Sequence, residues 1–146
     1  MSTPIDLYEQ DFYAWTQAQA ALLRTGQLAE LDLEHVAEEL ESMGRRERQE
    51  LIHRLAVLLI HLLKWQFQPN RRGRSWQLTI KEQRRQAARI LQESPSLKAR
   101  INEILSEAYG DAVIGAARET GLEETAFPGC CPFTLDQILS SQHWPE

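Results

Sequence analysis

The sequence lacks the alternating pattern that β-strands require. Runs in which β-branched or aromatic residues alternate with polar ones are missing along the whole chain. Apolar residues instead recur every three or four positions, which is the spacing of one face of an α-helix. The sequence therefore excludes a sheet-based fold and predicts an all-α protein.

Cysteine is scarce as well, because only Cys130 and Cys131 occur and they are adjacent. Adjacent cysteines rarely satisfy disulfide geometry, so a disulfide-stabilised secreted domain is excluded and a reducing compartment is expected. Zinc sites need ligands two to four residues apart and a second pair elsewhere, and the sequence has no second pair. We interpret the two thiols as small, partly buried residues of a turn.

Long apolar runs are also missing. The most apolar stretch, residues 55–63, contains His61 and is far shorter than the roughly 20 residues needed to cross a bilayer. The first residues show no basic segment followed by an apolar one, so no signal peptide is expected. These features predict a soluble, cytoplasmic protein with no membrane partner.

No motif specific to one class of enzyme is present. No serine, cysteine or acidic residue is spaced to form a nucleophile unit with a histidine. The sequence therefore predicts no catalytic residue and no cofactor, and it favours a protein without catalytic activity.

What the chain does contain is typical of one globular domain. It has 146 residues, of which 42% are apolar and 25% charged, and this suffices for a core without disulfides. No linker, repeat or low-complexity tract divides the chain, so we predict a single domain over residues 1–146. Helical segments predict a compact bundle of about five or six helices.

The first half of the chain predicts three helices. The first begins with a capping pattern at Asp6 and ends at Gly26, and Asp32 can cap the second. Gly44 either ends the second helix or leaves a bent continuation into the third. The third, about residues 46–67, becomes apolar on nearly all sides, which predicts that it is the central helix of the bundle.

The second half predicts three more helices. Ser75 is expected to cap the fourth, and Ser94, followed by proline, to open the fifth. Gly121 suits the end of the fifth helix. Thr134 and Gln137 form a capping-box pattern that opens a short last helix.

Several short strings occur together along the chain. They are Glu39-Leu40-Glu41-Ser42-Met43-Gly44, His61-Leu62-Leu63-Lys64-Trp65, Trp76 with Ile80 and Arg84, Pro95-Ser96-Leu97, and Phe127-Pro128 followed by Cys131-Pro132 and Thr134. In this order and spacing the chain resembles a bacterial family of uncharacterised proteins, catalogued as the twenty-ninth domain of unknown function. The resemblance covers nearly the whole chain. It implies a small helical protein and brings no established activity, cofactor or catalytic residue.

The first candidate site surrounds His61, which lies in the most apolar stretch. Burying an imidazole without a hydrogen-bond partner costs about 1–3 kcal/mol, so a partner is expected. Either a carboxylate or a backbone carbonyl of a neighbouring helix supplies it, or His61 lines a pocket together with Lys64, Trp65 and Trp76.

The second candidate is a basic face within residues 64–89, where eight bases stand against one acid, whereas residues 30–50 hold eight acids against three bases. Cations beside Trp65 and Trp76 are typical of surfaces that grip phosphates or stack bases. The alternative is that the acidic second helix and the basic fourth helix lie side by side. The cations between the two tryptophans and beyond them are Arg71, Arg72, Arg74, Lys81, Arg84, Arg85 and Arg89.

The third candidate is Glu50 with His53, three residues apart on one helix face. Such a pair binds metal in carboxylate-bridged bundles when further carboxylates join it, here from Glu38 or Glu39. A second motif of this kind is missing, so the alternative is that both residues are surface residues, and no metal is predicted.

These patterns favour a small interaction or regulatory protein that binds an unidentified protein partner or itself. Four tryptophans supply large contact anchors. Nucleic-acid binding through the basic face is the alternative, although the net charge of −5 opposes it. A metal-dependent helical enzyme is the second alternative.

Overall fold

Helices are the only regular secondary structure among the residues that the structure describes, which are residues 4–146. This confirms the all-α prediction. The computed structural model has these helices in chain order: α1 (Pro4–Gln10), α2 (Phe12–Arg24), α3 (Leu33–Phe67), α4 (Arg74–Glu93), α5 (Ile101–Thr120) and α6 (Leu135–Leu139). Short 3-10 turns cover Leu28–Glu30, Pro69–Arg71, Pro95–Arg100 and Glu124–Ala126. Within the described range, no helix has both the length and the apolar composition that crossing a bilayer requires.

The chain divides into two compact units, an N-terminal unit of residues 1–46 and a C-terminal unit of residues 47–146. The N-terminal unit contains α1, α2 and the start of α3. The C-terminal unit contains the rest of α3 and all later helices. Each unit has its own buried side chains.

The first predicted helix is interrupted at Asp11, which separates α1 from α2. The Asp11 side chain accepts a hydrogen bond of 3.0 Å from the backbone N–H of Ala14 and so caps α2. An aspartate that bonds to a nearby backbone N–H favours a helix start over a helix interior. Asp6, the predicted cap, lies inside α1, and its side chain is outside the described residues.

The second and third predicted helices are one continuous helix, α3, which has 35 residues and begins at Leu33. The predicted central helix of residues 46–67 is the second half of this longer element. Gly44 lies in its interior, where a methyl group added to the glycine would meet no atom within 4 Å. Glycine costs a helix about 1 kcal/mol relative to alanine, so its presence weakens α3 here without ending it.

The core of the C-terminal unit is built around the second half of α3, as its apolar sequence predicts. Six leucines of this segment are completely buried: Leu51, Leu55, Leu58, Leu59, Leu62 and Leu63. Ile80 from α4, Ile104 from α5 and Ile138 from α6 complete the group of large side chains without solvent exposure. A helix with apolar residues on nearly all sides is stable only when other helices cover it.

The ends of the later helices follow local sequence signals in part. Gly121 ends α5 in the left-handed conformation, with φ of +77°, and Thr134 and Gln137 form the predicted capping box of α6. The predicted cap at Ser75 is wrong, because α4 already begins at Arg74. Ser94 opens a 3-10 turn, and α5 starts only at Ile101.

Two glycines inside α5 differ in their surroundings. A Cβ at Gly115 would lie 2.5 Å from Cδ1 and 3.1 Å from Cγ1 of Ile60, whereas a Cβ at Gly110 would meet no atom within 4 Å. Gly115 therefore permits the close approach of α5 to α3, and Gly110 has no such role.

We expect Gly115→Ala to be less stable than Gly110→Ala by about 1–2 kcal/mol in the free energy of unfolding. Both changes gain helix propensity, but only the first forces Ile60 to move in a packed interface. Urea unfolding followed by circular dichroism measures the difference. Equal stability of the two variants would show that Ile60 gives way without cost.

Candidate interaction surface

His61 obtains its hydrogen bond from its own helix. Its Nδ1 lies 2.8 Å from the backbone oxygen of Val57, one turn earlier in α3. Because a carbonyl only accepts, Nδ1 carries the proton. Burial lowers the pKa of His61 below its usual value, against the opposing effect of this hydrogen bond. The imidazole is therefore neutral at pH 7 and satisfied without a neighbouring helix.

Lys64 is buried, and its charge is compensated within the C-terminal unit. Its Nζ lies 3.1 Å from Oε1 of Glu119 on α5 and 4.7 Å from the ring centre of Trp76 on α4. The ammonium group thus joins three helices through an ion pair and a cation–π contact. Lys64 is therefore a poor candidate for binding an external ligand.

Trp65 and Arg72 hold the C-terminal segment. Arg72 donates to the backbone oxygen of Trp65 at 2.7 Å and to that of Pro145 at 3.3 Å, and its guanidinium lies 5.2 Å from the centre of the Trp65 ring. The rings of Trp65 and Trp144 are 4.7 Å apart between centroids. Both predicted site residues therefore anchor the chain end.

Arg84 is a buried cation that interacts with backbone carbonyls. Only 5% of the residue is exposed. It donates to the backbone oxygens of Ile138 at 2.8 Å, Gln137 at 3.3 Å and His143 at 2.7 Å, and it lies 5.4 Å from the Trp144 ring centre. Burial lowers the pKa of its guanidinium. Among the described residues it forms no ion pair with a carboxylate.

We expect Arg84→Ala to destabilise the C-terminal unit by about 2–4 kcal/mol, because three backbone carbonyls, of which that of Ile138 is in a buried contact, lose a charged donor. Arg85→Ala is the matched control: Arg85 is the next residue, exposed and without a hydrogen bond to the described residues, so a change of no more than about 0.5 kcal/mol is expected. Urea unfolding measures both. A loss of stability in Arg84→Ala no larger than in the control would contradict an anchoring role.

The cations available to a ligand form a row on α4. Lys81, Arg85 and Arg89 are exposed and form no ion pair with the residues that the structure describes. The predicted residues Arg71 and Arg74 are exposed as well. The predicted basic face thus divides into buried anchors and this free row.

A groove of about 700 Å³ runs between α4 and the segment around α6; we call it the α4–α6 groove. Its apolar side chains include Leu78, which is 51% exposed, and Trp144, which is 38% exposed. No acidic side chain of the described part of the chain lines it. Its lining residues are Gln77, Leu78, Lys81, Arg84, Arg85, Ala88, Leu139, Ser141 and Trp144.

Trp144 and Leu139 belong to this groove and were not among the predicted site residues. Local patterns place Leu139 in the short last helix and Trp144 after it, and they indicate no partner for either residue. One sequence feature could have indicated Trp144: it is an aromatic residue shortly after an apolar segment. That segment, which includes Phe133, packs in the core.

The N-terminal unit holds a second cluster that sequence analysis missed. Asp32, predicted only as a cap, accepts a hydrogen bond from Nε1 of Trp15 at 3.1 Å and lies 2.7 Å from Nδ1 of His35. Tyr8 stacks on the His35 ring at 3.9 Å between centroids and donates to Oε1 of Glu39 at 2.5 Å. This hydrogen bond raises the pKa of Tyr8 to about 12.

The same contacts shift the pKa values of the Asp32–His35 pair. The hydrogen bond to Asp32 raises the pKa of His35 above 6.5 despite desolvation. Burial would raise the pKa of Asp32, but hydrogen bonds from His35 and Trp15 lower it below 3.8. The ion pair is therefore complete between these two values, and it is lost at higher pH when His35 loses its proton.

We expect the N-terminal unit to lose stability as the pH rises from 6 towards 9. A raised histidine pKa contributes stability below the unfolded value of about 6.5, and this contribution disappears as pH passes the folded value. NMR titration should give His35 a pKa above 6.5, and thermal unfolding of His35→Gln should lack this pH dependence. His53→Gln, which changes an exposed histidine of the other unit, is the control and should retain it.

The metal candidate pair of Glu50 and His53, at which no metal is predicted, is not joined by further ligands among the described residues. Glu50 forms an ion pair of 2.8 Å with Arg54, and His53 is exposed in a groove with Asp111 and Arg118. Among the described residues, no group of three or more histidine, cysteine or acidic side chains is placed to hold a metal ion.

The adjacent cysteines lie in the turn region that the sequence predicts. Cys130 is exposed, whereas Cys131 is half-buried and its Sγ lies 3.4 Å from the backbone oxygen of Phe133. Burial raises the pKa of the Cys131 thiol, which leaves it protonated and a weak nucleophile at neutral pH. Both thiols are free.

Most of the chain matches the sequence model of a known family. The sequence model of a family described as Domain of unknown function DUF29 matches residues 7–144, in agreement with the resemblance seen in the sequence. Neither a curated protein nor a solved structure matches the chain.

Proposed function

The chain belongs to the family Domain of unknown function DUF29, and from this premise we propose that it is a non-catalytic interaction protein that binds an acidic helical segment of a protein partner. The observation that carries the proposal is the α4–α6 groove, where exposed apolar side chains lie beside cations that form no ion pair with the described residues.

The apolar part of the groove suits a helix. Leu78, Leu139 and Trp144 line it together, and Leu78 and Trp144 are exposed although both are large. Exposed apolar surface that forms a concave patch marks a contact site more often than scattered single residues do. Grooves of this kind accept the apolar face of an amphipathic helix.

The charges of the groove select an acidic ligand. Lys81 and Arg85 are exposed at its edge and Arg84 lies in its wall. Carboxylates on the polar face of a bound helix would meet these cations, whereas lysines would be repelled, so charge gives specificity and fast association.

The lining of the groove also supports binding over proton transfer. Among the residues that the structure describes, no histidine, cysteine, aspartate or glutamate lines the groove, and these are the usual side chains for acid–base chemistry near neutral pH. Its cations are lysine and arginine, which bind anions well but rarely exchange protons at pH 7.

The proposal is tested with a synthetic helical peptide of about 15 residues, near the minimum length for an isolated helix. The peptide carries leucine along one face and glutamate along both edges of that face, where it can reach the cations of the groove. Binding is followed by a fluorescence label on the peptide. Lys81→Glu combined with Arg85→Glu should weaken binding at least tenfold, which is about 1.4 kcal/mol.

The control variant combines Lys98→Glu with Arg100→Glu. It changes the net charge by the same amount at two exposed residues outside the groove, and it should bind like the unchanged chain. Equal binding by both double variants would overturn the proposal. Binding of a labelled single-stranded oligonucleotide in place of the peptide, with a steep loss on adding salt, would instead assign the row on α4 to nucleic acid.

A further inference from the structure

We infer that the helix bound in the α4–α6 groove is the start of α3 from a second copy of this chain, so that the protein associates with itself through two unlike surfaces. This inference rests on the proposed function, because it names the occupant of the same groove.

The start of α3 presents large apolar side chains to solvent. Leu33 is 67% exposed, Leu40 is 62% exposed and Met43 is 59% exposed; we call these three residues the α3 stripe. They are spaced seven and three residues apart, which places them along one face of the helix. A continuous apolar face on an exposed helix is a contact surface without its partner.

Acidic residues border one edge of the α3 stripe. Glu34 and Glu41 are exposed and form no ion pair with any described residue. The segment therefore has the composition that the groove selects, with apolar residues on one face and free carboxylates beside them.

The two units also differ in net charge. Residues 1–46 contain nine acids and three bases, whereas residues 47–146 contain twelve acids and thirteen bases. The N-terminal unit therefore carries the whole negative net charge of the chain, and the free cations on α4 belong to the nearly neutral C-terminal unit.

The positions of the free acids and cations favour one of the three possible contacts between two copies: stripe with stripe, groove with groove, or stripe with groove. Contact between two α3 stripes would bring unpaired glutamates together, and contact between two grooves would bring unpaired cations together. Like charges across an interface oppose association, whereas opposite charges favour it. The stripe of one copy against the groove of the other is the pairing in which both the apolar and the charged groups match.

The two surfaces also have the same length. The stripe extends from Leu33 to Met43, which is about 15 Å along a helix. The groove follows α4 from Gln77 to Ala88, which is about 16 Å.

The experiment compares two charge-reversed variants by analytical ultracentrifugation. The groove variant carries Lys81→Glu with Arg85→Glu, and the stripe variant carries Glu34→Lys with Glu41→Lys. The unchanged chain should associate. Each variant alone should associate at least tenfold more weakly, because stripe and groove then have the same sign of charge.

An equal mixture of the two variants should associate again. The acidic stripe of the groove variant then meets the basic groove of the stripe variant, and the reversed stripe meets the reversed groove. Glu123→Lys with Glu124→Lys reverses two exposed acids elsewhere and should leave association unchanged. A monomeric unchanged chain, or a mixture that stays monomeric, would overturn the inference.

Failure of this inference is distinguishable from failure of the proposed function. The stripe variant keeps an intact groove that cannot bind another copy of itself, so it is the chain to titrate with the acidic leucine peptide. If the unchanged chain is monomeric but the stripe variant binds the peptide, the groove has a different acidic partner. If neither occurs, both proposals fail.

Discussion

The guanidinium of Arg84 is buried in the C-terminal unit, where it donates to three backbone carbonyls and, among the described residues, forms no ion pair with a carboxylate. Two of these carbonyls, those of Gln137 and Ile138, belong to the short helix α6, whose own five residues could not keep it folded. A buried cation that loses its acceptors is costly, so this contact holds α6 and the segment after it against α4. Trp144 then rests on Arg84 and Trp65, and the groove exists because this segment is held in place.

The elements that sequence analysis predicted correctly depend on local rules. The apolar second half of α3 had to be surrounded by other helices, and Gly121 and the Thr134–Gln137 box end or begin helices through contacts within a few residues. The same local rules left the region of Gly44 undecided. A single glycine costs about 1 kcal/mol, which is too little to end a helix whose residues on both sides form α3.

The roles of the candidate site residues depended on distant partners and could be predicted only in part. The sequence offered two separate sets of candidates, a pocket of Lys64, Trp65 and Trp76 around His61 and a basic face that includes Arg72 and Arg84. In the structure, Arg72 contacts Trp65, Arg84 and Trp65 both contact Trp144, and Lys64 contacts Trp76. The sequence could not indicate that Lys64 faces Glu119 or that Arg84 faces the carbonyls near α6, because those partners are more than 50 residues away. Asp32 was assigned to a helix cap for the same reason, although Trp15 and His35 also bind its carboxylate.

The cations of residues 64–89 divide into buried or half-buried ones that bind partners within the chain and exposed ones that do not. Arginines that bury their charge must find acceptors inside the chain, and Arg72 and Arg84 do so with backbone oxygens. Lys81, Arg85 and Arg89 lie on the exposed face of α4, opposite its buried face, so their charges are available to solvent or a ligand. A charge count over residues 64–89 cannot separate the two groups. Helical periodicity separates most of them, because Lys81, Arg85 and Arg89 are four residues apart, whereas Arg84 shares the phase of the buried Ile80, Ala87 and Leu91.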